Sequence, residues 1–172
     1  MFDVKLAKLA LGALAAGAFP CAALGGDEAT PQFRDYPSET PRLRKGASLR
    51  LTDSFARAYR TRLLGAAKLP PNFAGAYRLT QWGCGTTCLM GAVINLKSGR
   101  VFPLPFTICC SPVNGENFHP IAFRPDSRLI VFTGLRNEKG ADGAHYYTFD
   151  GHRFKFLKTV AAQGEKTPPT GR

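Results

Sequence analysis

Five cysteines are the residues of this chain best placed by type and spacing to do chemistry. Cys84 and Cys88 stand four apart in "QWGCGTTCLM", directly after Trp82, the only tryptophan, with Gly83, Gly85, Thr86 and Thr87 around them. Cys109 and Cys110 are adjacent, and Cys21 lies near the N-terminus. Such a set can be a redox centre, a metal site or a staple. A redox pair normally reads C-x-x-C, with its first thiol at a helix N-terminus. Here the spacing is C-x-x-x-C, and the apolar, strand-like run "LMGAVINL" follows. A zinc site needs four thiolates or a Cys/His set in tetrahedral array. Two adjacent cysteines do not easily both reach one such ion. The reading is a disulfide staple, with no metal and no cofactor.

A hairpin argument suggests how the staple connects. With 89–96 and 101–108 as strands about the turn Lys97–Arg100, Asn95 faces Phe102 and Leu96 faces Val101. Carried to the open end, that register sets Cys88 opposite Cys109. Cross-strand Cβ atoms lie roughly 4.5–5.5 Å apart, near what a disulfide requires. Cys84 is then left for Cys110. Pro103 and Pro105 interrupt the ladder, and a bulge there exchanges the partners, to Cys84–Cys109 with Cys88–Cys110. The third pairing needs a strained Cys109–Cys110 ring. A bridge closing a loop of about 20 residues stabilises by roughly 3 kcal/mol.

Other catalytic constellations are not evident. His119, His145 and His152 have no neighbours at metal-ligand spacing and read as surface or packing residues. Ser111 and Ser127 lack a G-x-S-x-G context. Asp126 and Asp150 look like turn residues. Glu116, Glu138 and Asp142 fall in polar loops. No catalytic residue is assigned.

The elements that must hold these residues begin with a leader. Lys5 and Lys8, an apolar stretch from Leu9 to Phe19, and small residues before Gly25 follow the order of a Sec signal peptide. The apolar run falls short of the about 20 residues a membrane span needs. Residues 1–25 are expected to be removed after Gly25. Pro20 before Cys21 argues against lipidation. Cleavage discards Cys21, and an even set of four cysteines in an exported chain reads as disulfides.

Residues 26–45 form an extended, proline-punctuated arm, anchored by Phe33 and Tyr36. Residues 46–160 form one domain. Thr52-Asp53 offers the N-cap of a helix running to about Ala67, with Phe55, Tyr59, Leu63 and Ala66 as its apolar stripe. Arg62 and Leu64 break that stripe. Pro70-Pro71 stops the helix. From Asn72 onward the pattern is of strands, with Asp150-Gly151 as a hairpin tip. Phe154 and Phe156 alternate with Arg153, Lys155 and Lys158, as in a strand with one buried and one wet face. The tail, 161–172, is expected to be disordered. The fold class is α+β with β dominant: an antiparallel sheet of about six strands, one N-terminal helix packed on it, and a disulfide staple.

"PNFAGAYRLTQWGCGTTC", followed by a strand and a Ser-Gly turn, resembles a recurring type of small exported bacterial protein with an N-F-A-G-x-Y and W-G-C-G-T-x-C pattern. The likeness spans about Asn72–Val160. It implies an exported, disulfide-bearing small domain and brings no catalytic residues with it.

Charge is the remaining clue. The chain carries a formal net charge of +11, with nine Lys/Arg against three Asp/Glu between Arg34 and Lys68. A basic surface attracts an anionic partner. Export and the lack of a helix-turn-helix or zinc-finger framework argue against nucleic acid. The reading is a periplasmic or secreted, non-enzymatic binding domain, of the inhibitor or immunity type, that engages an envelope protein or an anionic envelope surface. Its candidate binding loop is Trp82, Gly83, Gly85, Thr86 and Thr87. The alternatives are an envelope enzyme with a site near Trp82–Cys88, and a structural envelope accessory.

Overall fold

The computed structural model describes residues 29–39, 41, 46–110 and 119–162. The leader with Cys21, residues 42–45 of the arm, Ser111, Glu116 and residues 163–172 of the tail lie outside the described residues.

The long apolar runs build two antiparallel sheets, where a single one was expected. The first contains β1 (Tyr77–Gly85), β2 (Cys88–Asn95), β4 (Ile108–Cys109) and β7 (Leu135–Arg136) in that order, with β3 (Val101–Pro103) also paired to β2. The second runs β5 (Ile121–Phe123), β6 (Leu129–Thr133), β8 (Gly143–Phe149) and β9 (Phe154–Ala161). The fold is α+β with strands dominant, as the sequence pattern indicates.

Two short helices replace the one long helix. Asp53 caps α1 (Ser54–Ala58), its carboxylate accepting the Ala56 N–H at 2.8 Å. Tyr59, at φ −103° and ψ 20°, breaks the helical path before α2 (Arg60–Ala66).

Three layers follow from where the apolar side chains go. In β1 and β2, Leu79 and Val93 point into the core between the sheets, with Phe73, Phe132 and Phe149. Trp82, Ala92 and Ile94 point the other way, onto Leu63 and Ala66 of α2. A central strand buried on both faces reads as an unbroken apolar run, which explains "GAVI" in β2. The arm docks on the second sheet: the Ser127 hydroxyl donates to the Phe33 carbonyl oxygen at 2.8 Å, and the Arg124 guanidinium sits 4.8 Å from the Phe33 ring centre.

The register of β2 corrects the hairpin argument in part. Val93 pairs with Phe102 and Ile94 with Val101, two places away from the expected ladder. The turn keeps its length but moves one residue toward the N-terminus, to 96–99, with the Asn95 N–H donating to the Arg100 carbonyl. Gly99 holds that turn at φ 73°, and a side chain there would strike the Ser48 carbonyl. At the open end Cys88 nevertheless pairs with Cys109. Between Ala92 and Leu89 the chain advances by fewer residues than between Pro103 and Ile108, and the extra length cancels the offset. The prolines, which lack a ladder N–H, hold that insertion.

The edge strand β9 departs from simple alternation. A register shift opposite Tyr146 and Tyr147 leaves Phe156 52% exposed, although it was expected to be buried. It packs instead against Tyr147 and beneath the Arg136 guanidinium.

Candidate functional site

The β1–β2 hairpin ends on the cysteine segment. A bulge between Gly83 and Gly85 leaves Cys84 out of the ladder, and Gly85 adopts φ 150°. Cys84 forms a disulfide with Cys88 across a Cα separation of 5.2 Å. Cys109 is bonded to Cys110. The pairing is the one ranked last from sequence, and neither Cys88–Cys109 nor Cys84–Cys110 is formed. The β2–β4 register did not choose the bond. The β1–β2 register, carried one step past Gly83 and Leu89, sets Cys84 opposite Cys88, and Cys110, at φ 60°, turns off the end of β4 beside its neighbour. All four cysteines still gather at one end of the first sheet. The Thr87 hydroxyl oxygen lies 4.0 Å from Cys110 Sγ.

The structure divides the candidate binding loop. Gly83, Gly85, Thr86 and Thr87 are exposed at the hairpin tip. Trp82 is not part of that surface. It is 6% exposed, packed beneath the helices with ring centres 5.0 Å from Tyr59 and 6.2 Å from Phe55. Because β1 alternates faces, the indole lies on the helix side and the cysteine tip projects past it.

The helix side holds a second feature. Between α2 and β1 lies an open groove of about 280 Å³, lined by Arg62, Leu69, Arg78, Thr80, Gln81 and Trp82 among others. The Arg62 guanidinium sits 5.9 Å from the Trp82 ring centre, a cation–π distance. That contact accounts for the basic residue that breaks the helical stripe. Arg78 donates from Nη1 to the Pro70 carbonyl at 3.2 Å. Its Nε and the Trp82 Nε1 are buried without an acceptor. Burial pushes the Arg78 pKa down, by removing solvent from the charged form. Buried N–H groups are nearly always bonded, so two orphaned donors on residues lining one groove mark a local shortage of acceptors.

The sequence around the groove explains that shortage. Ser54–Gly115 contains no Asp or Glu, yet carries Arg57, Arg60, Arg62, Lys68, Arg78, Lys97 and Arg100. Among the described residues, no carboxylate lies within ion-pair distance of Arg60, Arg62, Lys68 or Arg78. The acid-free stretch supplies both helices and strands β1–β4. Comparison with family models, with curated proteins and with solved structures gives no match.

The polar residues weighed earlier do not converge. His119 and His152 are exposed, while His145 is fully buried between Gly134 and Thr159. Ser127 is spent on the arm. Asp150 stays in its turn, where N–H donation from Arg153, then His152, holds its carboxyl far below the usual range. Arg62 was legible as a break in the stripe. Arg78 gave no signal beyond its charge.

Proposed function

We propose that this chain is an exported, non-enzymatic binding domain that engages an anionic component of the bacterial envelope through its helical face. One observation carries the reading: the acid-free stretch Ser54–Cys110 folds into adjacent layers and leaves Arg57, Arg60, Arg62 and Lys68 exposed on the short helical segment. A Lys or Arg near an anionic membrane surface is worth about 1 kcal/mol. Among the described residues, Asp53 at the N-cap of α1 is the one carboxylate beside these four cations, so most of that attraction stays uncancelled.

Cosedimentation of the disulfide-intact protein with vesicles tests the idea. Vesicles of anionic phospholipid should bind it at 0.05 M salt and lose most of it at 0.5 M, with their excess over zwitterionic vesicles shrinking as salt rises, as screening requires. Equal binding to both vesicle types, or none to either, removes the anionic-surface reading.

The stapled tip supports a second reading, capture of an envelope protein by Gly83, Gly85, Thr86 and Thr87. A disulfide at the base of an exposed loop lowers the ordering cost of binding. Mutation of Thr86 and Thr87 that abolishes capture of a purified envelope protein, with vesicle binding unchanged, would favour it.

A further inference from the structure

We propose that the groove between α2 and β1 binds a phosphoryl oxyanion. The proposal rests on the anionic-partner reading and locates its recognition site.

The groove offers charged donors and no carboxylate to meet them. Arg62 and Arg78 bring guanidinium groups, Thr80 a hydroxyl and Gln81 an amide. The Nε of Arg78 and Nε1 of Trp82 are buried N–H groups without a partner, and Trp82 is more than nine-tenths buried. No carboxylate among the described residues pairs with either arginine. Guanidinium forks match oxyanions by geometry, and hydrogen bonds between charged groups are the strong ones. A phosphate monoester brings one more unesterified oxygen than a carboxylate, and a diester sets its two tetrahedrally out of one plane, which suits a site with donors on both walls. Arg62 is exposed and stacked on the Trp82 ring, so it can swing onto an entering anion without breaking an ion pair. Leu69 and the indole add an apolar wall, which suits a phosphoryl group esterified to a carbon chain.

Trp82 is the only tryptophan, so its emission reports on this groove alone. The full-length, disulfide-intact protein is titrated with inorganic phosphate, glycerol 3-phosphate and acetate, at ionic strength held constant with chloride. The two phosphoryl probes should produce a saturable change, and acetate should need at least tenfold more. Arg62→Gln should raise the phosphate midpoint about tenfold or more, the scale of one charged hydrogen bond. Its surface position keeps folding out of the result, and unchanged thermal unfolding verifies that. Arg78→Gln, which also loses the bond to Pro70, serves as the second variant. A linear response, an equal response to acetate, or a wild-type midpoint in Arg62→Gln overturns the proposal.

Competition separates the sources. Phosphate that displaces the protein from anionic vesicles, at fixed ionic strength, assigns the groove to a lipid headgroup. Saturable phosphate binding without displacement assigns it to a free phosphorylated solute. Vesicle binding with no phosphate response leaves the envelope reading standing and removes the groove assignment.

Discussion

Cys88 and Cys109 are register partners, yet each is bonded to a nearer cysteine. The two connectivities have the same mass, so only cleavage between the strands tells them apart. Trypsin cuts after Arg78, Lys97 and Arg100. The local pairing then yields Leu79–Lys97 and Val101–Arg128 as separate peptides, each lighter than its reduced form by two hydrogens. Cross-strand bonds would keep the two joined until reduction. The expected digest, under non-reducing and thiol-blocked conditions, is two separate peptides. His145 makes a different prediction. Its Nε2–H donates to the Gly134 carbonyl at 2.8 Å, and its Nδ1 accepts from the Thr159 hydroxyl at 2.8 Å. Burial, above all, holds its pKa below the ordinary 6.5. The unfolded chain therefore takes up a proton as pH falls through about 6.5, while the folded ring resists until lower pH. The stability it contributes is complete above 6.5 and is lost progressively below it, down to the folded pKa. Urea midpoints should fall between pH 7.5 and pH 5. His145→Gln should cost about 1–3 kcal/mol at pH 7.5 and flatten that slope. An unchanged slope in the variant would assign the pH dependence to other groups.

The hairpin tip shows what pattern reading captures and what it misses. Strands β1, β2, β5, β6, β8 and β9 lie in the segments their apolar runs mark out, because burial of alternating or continuous apolar residues decides both pattern and fold. The bulge at Gly83–Gly85 and the insertion after Pro103 left weaker marks: glycines and prolines that permit an irregularity without fixing its length. The helix was legible from its cap and stripe, but the break at Tyr59 was not, since no proline or glycine announces it. The local pairing also changes the energetics of the staple. A bridge between strands closes about 20 residues of chain, whereas Cys84–Cys88 closes a loop of about five. In the chain-entropy account the stabilisation drops from roughly 3 to about 2 kcal/mol. Cys84→Ser combined with Cys88→Ser should cost about 2 kcal/mol in urea unfolding, and Cys109→Ser with Cys110→Ser less, because a bond between neighbours closes almost no loop. A larger loss from the second pair would mean that Cys109 and Cys110 restrain distant parts of the chain.

Charge is distributed by layer, and the layers make the asymmetry useful. Among the described residues, the carboxylates that form ion pairs, Asp35 and Asp150, belong to the arm and to the β8–β9 turn. The helices and β1–β4 have no acidic residue between Ser54 and Gly115. Net charge read from composition could indicate an anionic partner but not the face that meets it, because only folding brings Arg62 of α2 and Arg78 of β1 to one groove. Matched reversals on opposite layers separate a local face from a general charge effect. Arg60 and Arg128 are both exposed, one on α2 and one before β6 of the second sheet. Each reversal to Glu changes net charge by the same two units. Arg60 opens α2, where an acidic residue is compatible with the helix dipole, so Arg60→Glu should not lower the unfolding temperature. If the helical face meets the anionic surface, two charge units at about 1 kcal/mol each amount to roughly thirtyfold weaker vesicle binding in Arg60→Glu. Arg128→Glu, a layer away and screened over a Debye length of about 10 Å at 0.1 M salt, should lose only a few-fold. Equal losses in the two variants would show that net charge, and not this face, sets the attraction.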